Sequence, residues 1–228
     1  MARLTEYDER QAAGRLRAPI TALRWAVHAH LVPRPDSTPT TWTRATVEAM
    51  DREMITGSIP AGPISGSQAA HQIAAAIGSP YILGEPCAVK VFTVSQFVRL
   101  GHLTDLSGHP EELLLHPGQV AEVCTRPDLA ALVAAESPLG PDQAADRLLV
   151  RRTDWDHMVR LGWVAPAEWR EVRFGTSRAG AVDVPLYRAV DVDALPDAHP
   201  EVDWEMLRSV GKGRRSPLAS LTAAPAPV

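Results

Sequence analysis

Residues 143–164 have the sequence QAADRLLVRRTDWDHMVRLGWV, and this stretch decides the fold. Its first half predicts a helix with Ala144, Ala145 and Leu148 on one apolar face. Side chains as small as alanine allow another helix to cross closely, which a helix–turn–helix pair requires. A short turn is therefore predicted to follow this helix and to lead into a second one.

The second half of the stretch predicts the partner helix. Thr153 is placed to cap its N-terminus. Trp155, Met158 and Val159 have the i, i+3, i+4 spacing of a buried helix face. Gly162 is suited to end the helix, because glycine adopts the left-handed backbone conformation that helix stops favour.

Two extended runs follow, at residues 169–174 and 182–187, and they flank a glycine-containing turn at 175–180. A last short helix is predicted after the second run. Helix, turn, helix, hairpin and short helix form the order of a winged helix-turn-helix.

The pattern occurs three times in the chain. QAA motifs begin at Gln11, Gln68 and Gln143, and each is followed at the same distance by an aliphatic residue. We therefore predict a mainly α fold with short β-hairpin wings, made of three tandem winged helix-turn-helix units. The predicted segments are copy 1 at 8–55, copy 2 at 64–125, which is degenerate and carries an insert, copy 3 at 139–197, and a disordered tail at 211–228.

Composition limits the functions that fit. The chain has 228 residues and a net charge of −4, which argues mildly against nucleic-acid binding. Positive charge is nevertheless local, with eight basic and five acidic residues in 147–188. No apolar run approaches the roughly 18 residues of a membrane span, and the N-terminus lacks the apolar core of a secretory signal. We expect a cytoplasmic protein without membrane contact.

Over residues 141–196 the chain resembles the winged DNA-binding domain of the MerR and excisionase family. The stretch above, followed by VPLYRAVDVDAL at 184–195, is similar to the family's first helix, recognition helix, glycine-plus-apolar stop and post-wing helix. Copy 1 matches over 10–50 with a shorter wing, and copy 2 matches loosely. The tandem arrangement is similar to that of uncharacterised proteins of high-GC bacteria. The long heptad helix of metal- and drug-sensing members does not follow the domain.

The resemblance implies that the turn and second helix enter the DNA major groove and that the wing contacts the backbone or the minor groove. Arginine suits both phosphates and guanine edges. The alternative is an ordinary solvated polar face, which Asp154 and Asp156 would favour. The candidate DNA contacts are Arg151, Arg152, Thr153, His157, Arg160, Arg173 and Arg178 in copy 3, and Arg15, Arg17, Thr21, Arg24 and Arg44 in copy 1.

Other functional classes have little support in the sequence. No nucleophile elbow, P-loop or HExxH motif occurs, so we expect neither an enzyme nor a cofactor. His28 and His30 stand two residues apart and would face away from each other on a helix, so no metal site is expected. We expect a double-stranded DNA-binding protein, either a transcriptional regulator or an excisionase-like recombination-directionality factor. The alternative is a protein–protein interaction module, with acidic copy 2 serving self-association or a protein partner.

Overall fold

A computed structural model describes residues 4–109, 112–173, 181–211 and 213–222 of the chain, with Arg173 described in its backbone alone. The chain divides into two compact units, residues 1–129 and 130–228. The first unit contains copies 1 and 2, and the second contains copy 3. Both combine helices with small antiparallel sheets. No helix among the described residues has the length and apolar character needed to cross a membrane.

The first unit repeats one order of elements: a short strand, two helices, another short strand and a closing helix. Copy 1 adds one more helix, and α8 extends across the boundary between the units. The elements are β1 (Glu6–Asp8), α1 (Glu9–Leu16), α2 (Ile20–His28), β2 (Thr41–Thr43), α3 (Arg44–Ala49), α4 (Arg52–Gly57), β3 (Ile64–Ser65), α5 (Gly66–Ala76), α6 (Val91–Arg99), β4 (Leu114–Leu115), α7 (Pro117–Cys124) and α8 (Leu129–Ala135).

The second unit follows the same order with a longer hairpin. Its elements are β5 (Pro138–Leu139), α9 (Pro141–Leu148), α10 (Arg152–Arg160), β6 (Glu168–Arg173), β7 (Ala181–Arg188), α11 (Ala189–Asp193), α12 (Leu195–Ala198), α13 (Trp204–Ser209) and a 3-10 helix at Pro217–Ser220.

The repeated QAA motif has a physical explanation in all three copies. The glutamine is the third residue of its helix, and its side-chain oxygen accepts the backbone N–H of the N-cap residue, at 2.8–3.0 Å. The two alanines that follow are buried in each copy, with at most 4 % of their surface exposed. The motif therefore combines a helix start with a close helix crossing. The N-cap residues are Asp8, Ser65 and Gly140.

The second helices also end alike. His30, Gly101 and Gly162 occupy matching positions after α2, α6 and α10, and all three have a positive φ, between 56° and 76°. The prediction that Gly162 helps to end its helix is confirmed, because it directly follows the C-cap residue Leu161. Left-handed backbone also closes the first helices of copies 1 and 3, at Arg17 and Leu149.

The small sheets link the two ends of each copy. In every copy the strand before the first helix pairs antiparallel with the strand before the closing helix: β1 with β2, β3 with β4, and β5 with β7. Among the strands of the described residues, the pair β6–β7 is the long one, from Glu168–Leu186 to Arg173–Ala181. The two strands predicted in copy 3 are thus confirmed over the described residues. In the described parts of copies 1 and 2 no comparable hairpin is present.

Copy 2 departs from the others at its turn. Three residues separate α1 from α2 and α9 from α10, whereas residues 77–90 separate α5 from α6. This insert contains no helix or strand and exposes Tyr81, Ile82 and Leu83. The insert of copy 2 is therefore a loop.

Copies 1 and 2 contact each other through α2. The Trp25 ring stacks on His116 with centroids 3.9 Å apart, and Thr104 hydrogen-bonds His28 Nε2 at 3.0 Å. Arg24 donates to the backbone oxygen of Leu106 at 2.9 Å. The outer face of α2 is therefore a packing surface within the first unit.

The core of the second unit extends into the C-terminal segment, which we define as residues 211 and 213–222. Trp155 is fully buried and lies edge-on to Tyr187, with ring centroids 4.8 Å apart. Leu218 joins the same core with 2 % of its surface exposed. The prediction of a disordered tail is thus wrong for this segment, because Leu218 and the 3-10 helix anchor it. Residues 212 and 223–228 lie outside the described part of the chain.

Candidate nucleic-acid interface

A buried ion pair holds the start of α10. Asp154 is fully buried, and its carboxylate accepts two hydrogen bonds from the Arg151 guanidinium, at 2.7 and 2.9 Å. The Ser216 hydroxyl donates to the same carboxylate. A buried charge is costly without such partners, so Arg151 supports the fold. The side chain of this candidate DNA contact is 21 % exposed and is engaged within the fold.

The remaining nitrogen of Arg151 orients the C-terminal segment. Its Nη1 donates to the backbone oxygens of Gly211 and Arg214, at 3.1 and 2.7 Å. Arg151 is also the N-cap residue of α10, and it provides no side-chain cap. Thr153 therefore lies inside the first helical turn with an exposed side chain, and its predicted role as the N-cap is wrong.

The other end of α10 is also tied to the C-terminal segment. Arg160 donates to the backbone oxygens of Leu218 and Leu221, at 3.1–3.2 Å. Its Nε also donates to Nδ1 of His157, at 3.4 Å. Two of the predicted DNA contacts, Arg151 and Arg160, thus have backbone partners 58 to 63 positions away along the chain.

Arg152 is more accessible than Arg151 at the start of α10. Its side chain is 45 % exposed and forms ion pairs with Asp142 at 2.9 Å and Asp156 at 3.1 Å. Exposed ion pairs of this kind contribute about 0–1 kcal/mol each. Arg152 can therefore exchange a carboxylate for a phosphate at little cost to the fold.

Acid should weaken the attachment of the C-terminal segment. Burial raises the pKa of Asp154, but hydrogen bonds from Arg151 and Ser216 outweigh it and hold the pKa below the ordinary 3.8. A carboxyl whose pKa is lower in the folded state stabilises the fold above its unfolded pKa. This stability is lost as the pH falls from that value through the folded pKa.

We expect the stability advantage of the wild type over Asp154→Asn to be full near neutral pH and to shrink below about pH 4. Thermal melts of both proteins across a pH series measure this difference. Asp156→Asn, which changes an exposed carboxyl two residues away, is the control. Parallel pH profiles of the thermal midpoint for the wild type and Asp154→Asn would contradict the inference that the ionised Asp154 carboxylate stabilises the fold.

The hairpin β6–β7 presents Trp169, 61 % exposed, and the exposed Arg170. The Arg170 side chain has no hydrogen-bonding partner among the described residues. The predicted wing contact Arg178 and the side chain of Arg173 lie outside the described residues.

The arginines of copy 1 are mostly engaged within the first unit. Arg15 and Arg44 both bind the carboxylate of Glu48, at 2.7 and 2.9 Å. Arg24 is 20 % exposed and bonds Glu9 at 2.6 Å as well as Leu106. Arg15 and Arg44 thus share one carboxylate of α3, and Arg24 is paired with a carboxylate of α1.

The two other candidates in copy 1 lie around its turn. The Arg17 side chain is exposed and has no hydrogen-bonding partner in the described part of the chain, and Thr21 is half-buried in the first turn of α2. Of the candidates in copy 1, Arg15 and Arg44 meet at Glu48 and line one pocket with Arg52.

Sequence reasoning missed a groove beside the start of α10. It is lined by Arg151, Arg152, Thr153, Gly213, Arg214 and Arg215. Arg214 and Arg215 are exposed, and their side chains have no partner among the described residues. The sequence shows that the stretch 212–215 is basic. The position of Arg214 and Arg215, however, depends on the distant contacts of Arg151 and Leu218.

The described residues contain no cluster of three or more side chains suited to hold a metal ion. No protein family, no curated protein and no solved structure matches this chain. The resemblance of residues 141–196 to the MerR and excisionase family therefore remains a prediction from sequence.

Proposed function

We propose that the chain binds double-stranded DNA through copy 3, which would act as a winged helix-turn-helix. The observation that carries the proposal is the start of α10. There Arg152 and Thr153 are exposed, and no side chain caps the helix. Free backbone N–H groups at a helix start attract phosphate, and a recognition helix contacts bases with its N-terminal residues.

Copy 1 is a weaker candidate for the contact with DNA. The face of α2 that would enter a groove packs on copy 2 through Trp25, Arg24 and His28. Entry into the major groove would require these contacts to break. We therefore assign copies 1 and 2 a supporting role.

A transcriptional regulator and a recombination-directionality factor share the step proposed here, which is the recognition of a duplex. Selection of genomic duplex fragments by the full chain at physiological salt tests it. Enrichment of a discrete sequence motif is the expected result. Recovery of no motif would contradict sequence-specific binding.

Two single substitutions test the role of α10 in that binding. Arg152→Ala should weaken duplex binding by about 1–3 kcal/mol if Arg152 contacts a guanine. Asp156→Asn should tighten non-specific binding, because it removes a negative charge and a competing partner of Arg152. Fluorescence anisotropy on one duplex measures both effects.

Both side chains are exposed, so thermal midpoints should stay close to that of the wild type. Equal affinities of wild type, Arg152→Ala and Asp156→Asn would exclude the start of α10 from the interface.

A second candidate function is protein binding through copy 2. One observation favours it: the insert at 77–90 exposes Leu83 at 89 % and Ile82 at 57 %. Adjacent exposed apolar side chains are typical of protein-binding surfaces. A lower association state of Ile82→Ser/Leu83→Ser in sedimentation, with unchanged DNA affinity, would support self-association through this loop.

A further inference from the structure

The C-terminal segment is fixed on α10 at several points. Leu218 is buried in the core of the second unit, and Ser216, with 8 % of its surface exposed, donates to Asp154. Arg160 binds the backbone near the end of the segment, and Arg151 binds it at Gly211 and Arg214. Residues 213–216 are therefore held beside the first turn of α10.

This attachment places Arg214 and Arg215 on one groove with Arg152 and Thr153. The charge of Arg151 is matched by Asp154, and Arg152 shares its charge with Asp142 and Asp156. The side chains of Arg214 and Arg215 have no partner among the described residues. They provide the uncompensated positive charge of the groove.

Guanidinium groups form paired, charge-assisted hydrogen bonds with phosphate oxygens. Adjacent arginines on an open groove suit successive phosphates of one strand, and such contacts position a protein on a duplex without reading its sequence. The exposed Thr153 hydroxyl adds a donor of the kind that also binds phosphate.

We propose that the C-terminal segment is part of the DNA interface and that Arg214 and Arg215 bind backbone phosphates beside α10. This inference rests on the proposed DNA binding by copy 3. In this arrangement Arg151, Asp154 and Ser216 are positioning residues, because they hold the two arginines in place without contacting DNA.

The test compares the full-length wild type with Arg214→Ala/Arg215→Ala on one duplex at several salt concentrations. Loss of two phosphate contacts should lower the slope of log affinity against log salt by about 1.8, since each contact contributes about 0.9. Affinity at physiological salt should fall about tenfold or more. The thermal midpoint should stay unchanged, because both side chains are exposed and free.

Two further variants keep the result interpretable. Arg10→Ala/Arg34→Ala removes two exposed, unpartnered arginines of the first unit and should leave the slope unchanged. Arg214→Lys/Arg215→Lys retains the charge and should keep a slope near that of the wild type. If the alanine variant has a lower thermal midpoint than the wild type, the lysine variant becomes the test. A salt slope of the lysine variant as low as that of the alanine variant would then contradict the assignment of phosphate contacts to Arg214 and Arg215.

The experiment separates a failure of the proposed DNA binding from a failure of the phosphate contacts at Arg214 and Arg215. A wild type that binds no duplex at any salt concentration removes the proposed function and this inference together. A wild type that binds while Arg214→Ala/Arg215→Ala keeps its affinity and slope overturns the groove alone. An equal loss in Arg10→Ala/Arg34→Ala would also overturn it, because net charge would then explain the effect.

Discussion

Replacing Asp154 by Ala is expected to lower the free energy of unfolding of the second unit by about 3 kcal/mol or more, as for other broken buried ion pairs. The carboxylate is fully buried between Arg151 and Ser216. Its removal leaves the Arg151 guanidinium without its charge partner and Ser216 without its acceptor. The C-terminal segment should then separate more easily from α10.

Hydrogen exchange of backbone amides in α9 and α10 measures this loss in the second unit itself. Asp156→Ala is the matched control, because it removes a nearby carboxylate that is 56 % exposed, and it should cost at most about 1 kcal/mol. Equal exchange rates in Asp154→Ala and Asp156→Ala would show that the buried pair does not hold the segment.

A loss of similar size, about 3–5 kcal/mol, is expected for Trp155→Ala. The Trp155 ring is fully buried, and Tyr187 lies edge-on against it at 4.8 Å. Its removal would leave a cavity between α9, α10 and β7, since Ala144, Ala145 and Tyr187 belong to the same core. Folding of the second unit should become marginal.

Trp169→Ala provides the comparison within the same unit. Trp169 is 61 % exposed on β6, so its loss should change the free energy of unfolding by about 0.5 kcal/mol or less. Urea titrations followed by far-ultraviolet circular dichroism compare the two variants. If Trp155→Ala and Trp169→Ala unfold at the same urea concentration, the Trp155 ring does not stabilise the core of the second unit as proposed.

The local features of the fold could be predicted from the sequence because they depend on neighbouring residues. A glutamine at the third helical position and two buried alanines recur in each copy, and Gly162 ends its helix. The two strands of the copy 3 hairpin follow from alternation and a glycine-containing turn. Each of these signals lies within a few residues of the element that it defines.

The features that the sequence did not reveal depend on distant contacts. Asp154 is of a residue type usual on a solvated helix face, and its burial is compensated by Ser216 and Arg151. Leu218 and Leu221 are the two large apolar residues of the C-terminal segment, so no periodicity indicated the anchoring of Leu218. The packing of α2 on copy 2 likewise joins Trp25 to a histidine 91 positions later.

These distant contacts also changed the candidate site. Arginine is the residue type expected of a DNA contact. Three of the candidates nevertheless donate to a backbone oxygen elsewhere in their own unit: Arg24, Arg151 and Arg160. Arg214 and Arg215, which were expected to be disordered, instead line the groove at α10. Residue type alone does not separate an arginine that binds DNA from one that holds the fold.

The most direct measurement is hydrogen exchange of the full chain with and without a selected duplex. The proposal that copy 3 contacts DNA predicts slower exchange at the start of α10, along β6 and β7, and at residues 213–216. It predicts no change in α2, whose outer face already packs on copy 2. Slower exchange confined to copy 1, or no change anywhere in the presence of bound duplex, would contradict the proposal.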